Sequence, residues 1–179
     1  MLARGPTASP APSAHAGGTG DFDSFYLAHF ERLVLQLYAY TGDLAQAQDV
    51  VQEAFARALP RWDRVVRYDD PIGWVRRVAW NLATSRWRQL RRFRSYASSH
   101  REEHTSGPSP DRVALTRALR KLPQHQRQAM VLHYLADLPI GEIAEAMGVA
   151  DGTVKSWLYR ARKTLADILT EQRGEVRDV

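Results

Sequence analysis

The stretch that decides the fold lies near the end of the chain, where residues 152–165 are GTVKSWLYRARKTL. Its apolar positions recur at spacings of three and four residues, which is typical of a helix with one buried face. These positions are Val154, Leu158, Ala161 and Leu165. The pattern predicts a helix that packs on a neighbour through this stripe.

A shorter amphipathic run over 139–148 comes just before it. Its apolar residues also recur at helical spacing: Ile140, Ile143, Ala144 and Met147. Gly148 can adopt the left-handed conformation that ends a helix. Asp151 is placed to cap the next helix. A helix, a tight glycine turn and a basic helix together predict a helix-turn-helix, whose second helix enters the major groove of DNA.

The free face of the second helix distinguishes DNA binding from a purely structural helical hairpin. It carries four positive charges and no acid, from Lys155, Arg160, Arg162 and Lys163. A solvated face usually mixes charges of both signs, so DNA contact is favoured. The predicted contact residues are Thr153, Lys155, Ser156, Tyr159, Arg160 and Lys163.

Composition limits the remaining classes of function. The 179 residues carry a formal charge of +5, which suits a polyanionic partner. The sequence contains no cysteine, which excludes disulfides, thiolate metal sites and cysteine nucleophiles. No apolar run is long enough to cross a bilayer, and residues 1–20 predict a disordered tail and not a signal peptide. We expect a cytoplasmic protein.

The first half of the chain predicts a helical bundle over 21–95. One apolar stripe is formed by Phe22, Phe25, Tyr26, Phe30, Leu33, Val34 and Leu37. Gly42 ends this helix, Asp43 caps a second one that ends at Pro60, and a loop over 61–70 follows. Asp70 and Pro71 then open a long helix to about Arg94, as a cap followed by proline at the first helical position.

Residues 96–110 break all periodicity with serine, glycine and proline, which predicts a linker. A second helical unit follows over 111–172, with a short tail at 173–179. No segment has the pattern of a strand. The fold class expected is therefore all-α, with two small bundles joined by a flexible linker.

The long helix also carries a polar and aromatic face, formed by Arg77, Trp80, Asn81, Thr84 and Arg88. Aromatic rings that stack on bases, beside arginines that contact phosphates, are typical of single-strand binding. The alternative is that the tryptophans belong to the core. We expect a core position for Trp74 and an exposed one for Trp80.

Two weaker clusters remain. Asp49, Gln52 and Glu53 form a small acidic patch, which alone predicts only a solvated face. His100 and His104 lie four residues apart in the linker, but no third ligand is near, so no metal site and no cofactor are predicted.

With these motifs in order, the chain resembles the extracytoplasmic-function (ECF) sigma factors of bacterial RNA polymerase, in the sigma-70 superfamily. The first half of the resemblance rests on residues 49–55, DVVQEAF, and on the segment 71–83 around Trp74 and Asn81. The second half rests on the following residues: Leu122, Pro123, Arg127, Tyr134, Leu138, 142–144, Gly148, 152–156 and 160–162. Both halves in this order are highly specific for the family.

The resemblance implies a role for each segment. Residues 21–95 would be a region 2-like domain, in which Asp49, Gln52 and Glu53 dock on the β′ clamp helices of core polymerase. The face around Asn81 would open the minus-ten element and hold the non-template strand. Residues 111–172 would be a region 4-like domain that reads the minus-thirty-five element of promoter DNA. The implied polymerase partner surfaces are the β′ clamp helices and the β flap.

The resemblance also implies an anti-sigma factor as partner and no catalytic residues. Two departures stand out. Trp157 occupies a position where the family often has arginine, and the loop over 61–70 has no phenylalanine for a flipped base, for which Tyr68 or Trp62 would have to serve.

Two rival functions differ in testable ways. A stand-alone regulator would use the first bundle to dimerise on a palindromic operator. A nucleic-acid enzyme would need metal-binding carboxylates, for which Asp49, Glu53, Asp69 and Asp70 are the candidates; the last two sit at a helix cap, where a structural role is favoured.

Overall fold

The computed structural model describes residues 17–94 and 109–175, and within these ranges the regular structure is entirely helical. The all-α expectation is confirmed. The helices are α1 (Gly17–Thr41), α2 (Leu44–Ala58), α3 (Trp62–Val65), α4 (Pro71–Arg94), α5 (Pro110–Arg120), α6 (Gln124–Tyr134), α7 (Ile140–Met147) and α8 (Asp151–Glu175), with one 3-10 turn at Leu59–Arg61.

Local sequence signals fix the ends of the first helices. Gly42 has φ of +77°, a conformation that favours glycine, directly after α1. Asp43 then caps α2, because its Oδ1 accepts a hydrogen bond from the backbone N–H of Gln46 at 2.9 Å. In the same way Asp70 Oδ1 accepts from the backbone N–H of Gly73 at 2.9 Å and caps α4.

The core of the first half lies where α1, α2 and α3 meet. Phe55 is buried, and its ring contacts rings on α1 at centroid distances of 4.9–6.3 Å. Trp62 is also buried and packs on Phe22 and Phe25. The expected loop over 61–70 is therefore wrong in its first part, since Trp62 anchors the short helix α3 to the core.

The second half contains the expected helix-turn-helix, α7 and α8. Gly148 has φ of +67° and ψ of +41°, the left-handed conformation that turns the chain out of α7. The helices α7 and α8 contact each other, and Ile143, Ala144, Val154 and Leu158 are all buried in the core cluster. Asp151 is the first residue of α8 and not its cap. At this position its negative charge interacts favourably with the positive end of the helix dipole.

The element boundaries differ from expectation at three places. Helix α1 begins at Gly17, more than one turn before the buried Phe22, which is its first core residue. Helix α5 begins at Pro110, and α8 continues to Glu175, past the expected end at 172. Most of the expected tails and linker, 1–16, 95–108 and 176–179, lies outside the described residues.

The two halves are packed against each other. Helix α1 contacts α5 and α6, and one continuous cluster of buried side chains runs through both halves. A spanning segment would need a long apolar helix, and residues 17–94 and 109–175 contain none.

Candidate nucleic-acid interface

Helix α8 separates a buried stripe from a basic face. Val154, Leu158 and Ala161 are buried and Leu165 is half-buried, so the stripe predicted from the sequence is confirmed. The predicted contact residues lie outside this stripe. Lys155, Tyr159, Arg160 and Lys163 are exposed, and Thr153 and Ser156 are half-buried.

The exposed side of α8 is positively charged from Lys155 to Lys163. Residues 152–166 contain no acid, and Tyr159 extends from this face with 65% of its surface exposed. Arg162 is exposed but bends back, since its Nε donates to the backbone carbonyl of Leu158 at 3.3 Å. An unpaired cationic face with an exposed aromatic side chain is suited to phosphates and base edges in a groove.

The structure explains the departure at Trp157. Its side chain is half-buried, and the indole packs on the ring of His125 in α6 at 4.7 Å. Trp157 thus fixes α8 to α6. It contributes packing where a solvent-facing arginine would contribute a charge.

The polar face predicted on α4 is only partly present. Arg77 and Asn81 are exposed, and Thr84 is half-buried with its hydroxyl donating to the carbonyls of Trp80 and Asn81. The side chain of Arg88 lies outside the described residues. Asn81 therefore keeps a free amide beside an arginine, while Thr84 is engaged with its own helix.

The expectation for Trp80 was wrong, whereas Trp74 packs against the core as expected. Trp80 is 5% exposed and packs on Tyr40 at 4.7 Å, whereas Trp74 is only half-buried. The reason is that α4 packs on α2 and α1 on one side and faces the second half on another. Its buried stripe is consequently Val75, Ala79, Trp80 and Ala83.

A cavity of about 310 Å³ lies between α4 and the second half of the chain. On the α4 side it is lined by Arg76, Arg77, Trp80, Asn81 and Thr84, and on the other side by residues that include Glu142 and Glu145 of α7. The predicted single-strand face and an acidic helix therefore share one cleft.

Charges of opposite sign face each other across this cleft. Arg77 Nη2 lies 3.6 Å from Glu145 Oε1, in a pair so exposed that it contributes about 0–1 kcal/mol. Arg76 is half-buried; burial lowers its pKa, and the nearby Asp70 and Glu142 raise it. The arginine stays protonated, because its ordinary pKa is far above neutrality.

Tyr40 is the central residue of the contact between the halves, and sequence reasoning missed it. The side-chain Nε2 of Gln124 donates to the Tyr40 hydroxyl at 2.5 Å, and the Arg127 guanidinium lies 5.4 Å from the ring centroid. Burial lowers the pKa of Arg127, while Tyr40 raises it. The only sequence signal for this role was that Tyr40 continues the apolar stripe of α1.

The acidic patch on α2 divides into two parts. Asp49 and Gln52 are exposed on the side of α2 opposite the buried Val50 and Val51. Glu53 is engaged elsewhere, because its two oxygens accept from Arg57 at 2.5 Å and from Arg86 of α4 at 2.6 Å. Glu53 connects α2 to α4, so the predicted docking role is left mainly to Asp49 and Gln52.

The segment before α4 offers Tyr68 to solvent. Tyr68 is 36% exposed and lines a shallow, open cavity of about 390 Å³ with Asp63, Arg64 and Arg67. Trp62 is buried in the core and cannot receive a base there. Of the two aromatic candidates from the sequence, Tyr68 is the accessible one.

The carboxylates of the rival enzyme hypothesis are not assembled into a site. Within 17–94 and 109–175, no three histidine, aspartate or glutamate side chains lie close enough together to hold a metal ion. Asp70 caps α4 and Glu53 pairs with arginines, so both have structural partners. His100 and His104 lie outside the described residues.

Comparison with known proteins relates both halves to one family. The family described as Sigma-70 region 2 matches residues 25–93, and the family described as Sigma-70, region 4 matches residues 112–165. Together these matches contain α2, nearly all of α4, and the helix-turn-helix. They agree with the resemblance inferred from the sequence.

Individual relatives give the same result. The ECF RNA polymerase sigma factor SigM of Mycobacterium tuberculosis is 33% identical over 168 residues, which covers 88% of this chain and 82% of the relative. The ECF RNA polymerase sigma factor SigE of Mycolicibacterium smegmatis is 29% identical over 189 residues, with coverage of 95% and 72%. The sigma factor RpoE of Bartonella quintana, solved with the anti-sigma factor NepR, shares the fold with a TM-score of 0.72 at 24% identity, covering 85% of this chain and 98% of RpoE.

Proposed function

The chain belongs to the ECF RNA polymerase sigma factors, and from this premise we propose how its surfaces divide the work of promoter recognition and transcription initiation. Helix α8 reads the upstream promoter element in duplex DNA. The α4 face around Asn81 holds the single strand of the downstream element, and Asp49 and Gln52 of α2 bind core polymerase.

The observation that carries this proposal is the basic face of α8. Its basic side chains are exposed on a helix, and residues 152–166 contain no acidic residue. Phosphate contacts position such a helix, and base-edge contacts from arginine, lysine and serine specify the sequence. In this proposal α8 and α4 are the two helices that contact promoter DNA.

Run-off transcription with core polymerase tests the proposal as a whole. The templates are a duplex pool with randomised upstream and downstream elements, so that no promoter sequence has to be assumed. We expect discrete transcripts only when the chain and core are both present. A dimeric operator binder would bind palindromic duplexes without giving transcripts, and an enzyme would change the nucleic acid without polymerase.

Arg160 is expected to read a guanine, because it is exposed one turn beyond Ser156 on α8 and arginine binds guanine with two hydrogen bonds. Arg160→Ala should cost about 1–3 kcal/mol in promoter binding and relax the preference at one upstream position. A promoter-mutation scan measures both effects. Arg162→Ala is the matched control, because this arginine bonds its own helix; unchanged preferences in Arg160→Ala at every position would refute the assignment.

Asn81 is expected to act at strand opening. Its amide can donate to and accept from an extruded base edge, so Asn81→Ala should reduce open complex about tenfold, since two hydrogen bonds of roughly 0.5–1.5 kcal/mol each are lost. Permanganate footprinting of promoter thymines measures opening. A template already melted in the downstream element should restore activity partly, whereas wild-type reactivity on duplex DNA would remove Asn81 from the site.

A substitution of Trp80 would not test the strand site. Its indole packs on Tyr40 within the core, and truncating a buried tryptophan costs about 3–5 kcal/mol of folding stability. A defect of Trp80→Ala in initiation would therefore report folding. Tyr68, exposed beside α4, is the side chain that we propose for stacking on an extruded base.

The proposed partners follow from the same surfaces. Core polymerase supplies the chemistry, so the chain itself would need no catalytic residues and no cofactor. It would act in the cytoplasm, where polymerase and chromosome meet. Since RpoE of Bartonella quintana was solved with an anti-sigma factor, we propose that a protein of this class also controls this chain by covering the surfaces named above.

A further inference from the structure

Tyr159 is the most exposed aromatic side chain in the described part of the chain. It has 65% of its surface exposed, compared with 49% for Tyr134 and 36% for Tyr68. Tyr134 packs on the ring of His133 at 4.8 Å, whereas within residues 17–94 and 109–175 no ring contact or hydrogen bond involves the side chain of Tyr159. Single exposed apolar side chains are common on protein surfaces, so its position on α8 has to decide what it does.

That position is the middle of the basic face. Successive residues of a helix are about 100° apart around its axis, so Tyr159 lies nearly opposite Ala161, which is 0% exposed. Lys155 and Lys163 are four residues before and after it, on the same face, and both are exposed. The ring therefore lies between two cations, on the side of α8 that faces away from the core.

A helix that enters the major groove through this face brings the ring of Tyr159 to the base edges. Lysines reach the phosphates, whose contacts fix the register of the helix but do not depend on sequence. An apolar side chain in the major groove recognises the 5-methyl group of thymine, which is the only methyl group that the four standard bases present there. An aromatic ring at the centre of the reading face is matched to that group.

Thymine is not the only pyrimidine that can carry this methyl group. Carbon 5 of cytosine faces the same groove, so 5-methylcytosine presents its methyl group at the equivalent place. Deoxyuridine, in contrast, is thymine without the methyl group, and it pairs with adenine in the same way. A ring that contacts only the methyl group accepts it from either methylated base.

We propose that Tyr159 reads the 5-methyl group of one pyrimidine in the upstream promoter element, and that it accepts this group from thymine or from 5-methylcytosine. The inference rests on the proposed role of α8 in reading duplex DNA. It makes cytosine methylation at that base pair a signal that increases occupancy of the promoter by this chain.

A methyl scan of the upstream element tests the proposal. Every base pair contains one pyrimidine, so each pair can lose or gain a 5-methyl group without a change of Watson–Crick pairing. Thymine is replaced by deoxyuridine, and cytosine by 5-methylcytosine, one at a time on either strand. The templates are duplex promoters recovered from the randomised pool, and competition for the complex of the chain with core polymerase measures the ratio of the two affinities at each pair.

The methyl group should raise the affinity of the wild-type complex about fourfold at one base pair, which is the effect of burying one group of this size. Tyr159→Phe keeps the ring and should keep this ratio. Tyr159→Ala removes the ring and should bring the ratio close to unity. Because all variants are compared on the same duplexes, any effect of the methyl group on the DNA itself cancels.

Tyr134→Ala is the matched control. It also truncates an exposed tyrosine, but at the end of α6 and outside α8, and should leave the methyl ratio at the wild-type value. Arg160→Ala is the second control, because it removes a polar side chain of α8. It should relax the preference at its own base pair and leave the methyl ratio unchanged.

Three outcomes overturn the proposal. A scan without any methyl effect shows that the group is not read, and a ratio that survives Tyr159→Ala assigns the reading to another side chain. A ratio that is lost in Tyr159→Phe assigns the contact to the hydroxyl and not to the ring.

The proposed role of α8 fails separately from this inference. If neither Tyr159→Ala nor Arg160→Ala changes the affinity or any upstream base preference, α8 does not read the promoter. A scan without a methyl effect, beside a relaxed preference in Arg160→Ala, leaves the role of α8 standing and removes only the reading of the methyl group.

Discussion

Replacing Asp49 and Gln52 by lysine is expected to abolish co-purification of the chain with core RNA polymerase. Both side chains are exposed on the outer side of α2, whose inner side is buried through Val50 and Val51. An interface that accepts a carboxylate opposes a cation at the same place, since like charges brought together cost several kcal/mol. A pull-down of core subunits with the tagged chain measures the loss.

Glu31→Lys with Ala28→Lys is the matched control for the double variant. It also converts one acidic and one neutral residue to lysine, on the exposed side of α1, and should leave the pull-down intact. Unfolding temperatures of all variants should agree within a few degrees, because exposed substitutions change stability by about 0.5 kcal/mol or less. Normal recovery of core with the Asp49 and Gln52 variant would remove α2 as the docking helix.

Glu53 is left out of this test for a structural reason. Its carboxylate joins Arg57 and Arg86, so a lysine there would place three cations together between α2 and α4. A loss of polymerase binding in such a variant would not separate docking from damage to the fold. The sequence alone could not give this distinction, because Arg86 lies 33 positions away from Glu53.

The sequence predicted well what depends on neighbours along the chain. The glycine at position 148 and the aspartates at positions 43 and 70 act within one turn of where they stand. The stripe of α8 is also a local pattern, and it separated buried from exposed residues correctly at Val154 and Tyr159. These features position the basic face of the candidate site.

What the sequence could not predict depends on contacts between distant helices. Trp80 was expected on the exposed side of α4 and is buried, because the buried arc of α4 is decided by packing on α1 and α2 and by the second half of the chain. The contacts of Tyr40 with Gln124 and Arg127 join segments more than 80 positions apart. Periodicity within one helix contains no information about which partner covers it.

The largest effect on stability is expected at Phe55. It is 1% exposed, and its ring contacts the rings of Phe22, Phe25, Tyr26 and Phe30 on α1. Phe55→Ala removes these contacts and leaves a cavity between α1 and α2, at a cost of about 3–5 kcal/mol. Since whole domains are stable by only about 5–15 kcal/mol, the variant should be close to unfolding at physiological temperature.

Urea unfolding followed by circular dichroism measures this cost. With an m-value of about 1–3 kcal/mol per molar urea, the midpoint for Phe55→Ala should fall by about 2 M. Tyr159→Ala is the matched control, because it also truncates an aromatic side chain of a helix, but one that is 65% exposed. Its midpoint should stay near that of the wild type, although its promoter binding should weaken. Equal midpoints for the two variants would mean that the cluster around Phe55 does not hold α2 in place, and that α2 needs another anchor to present Asp49 and Gln52 to polymerase.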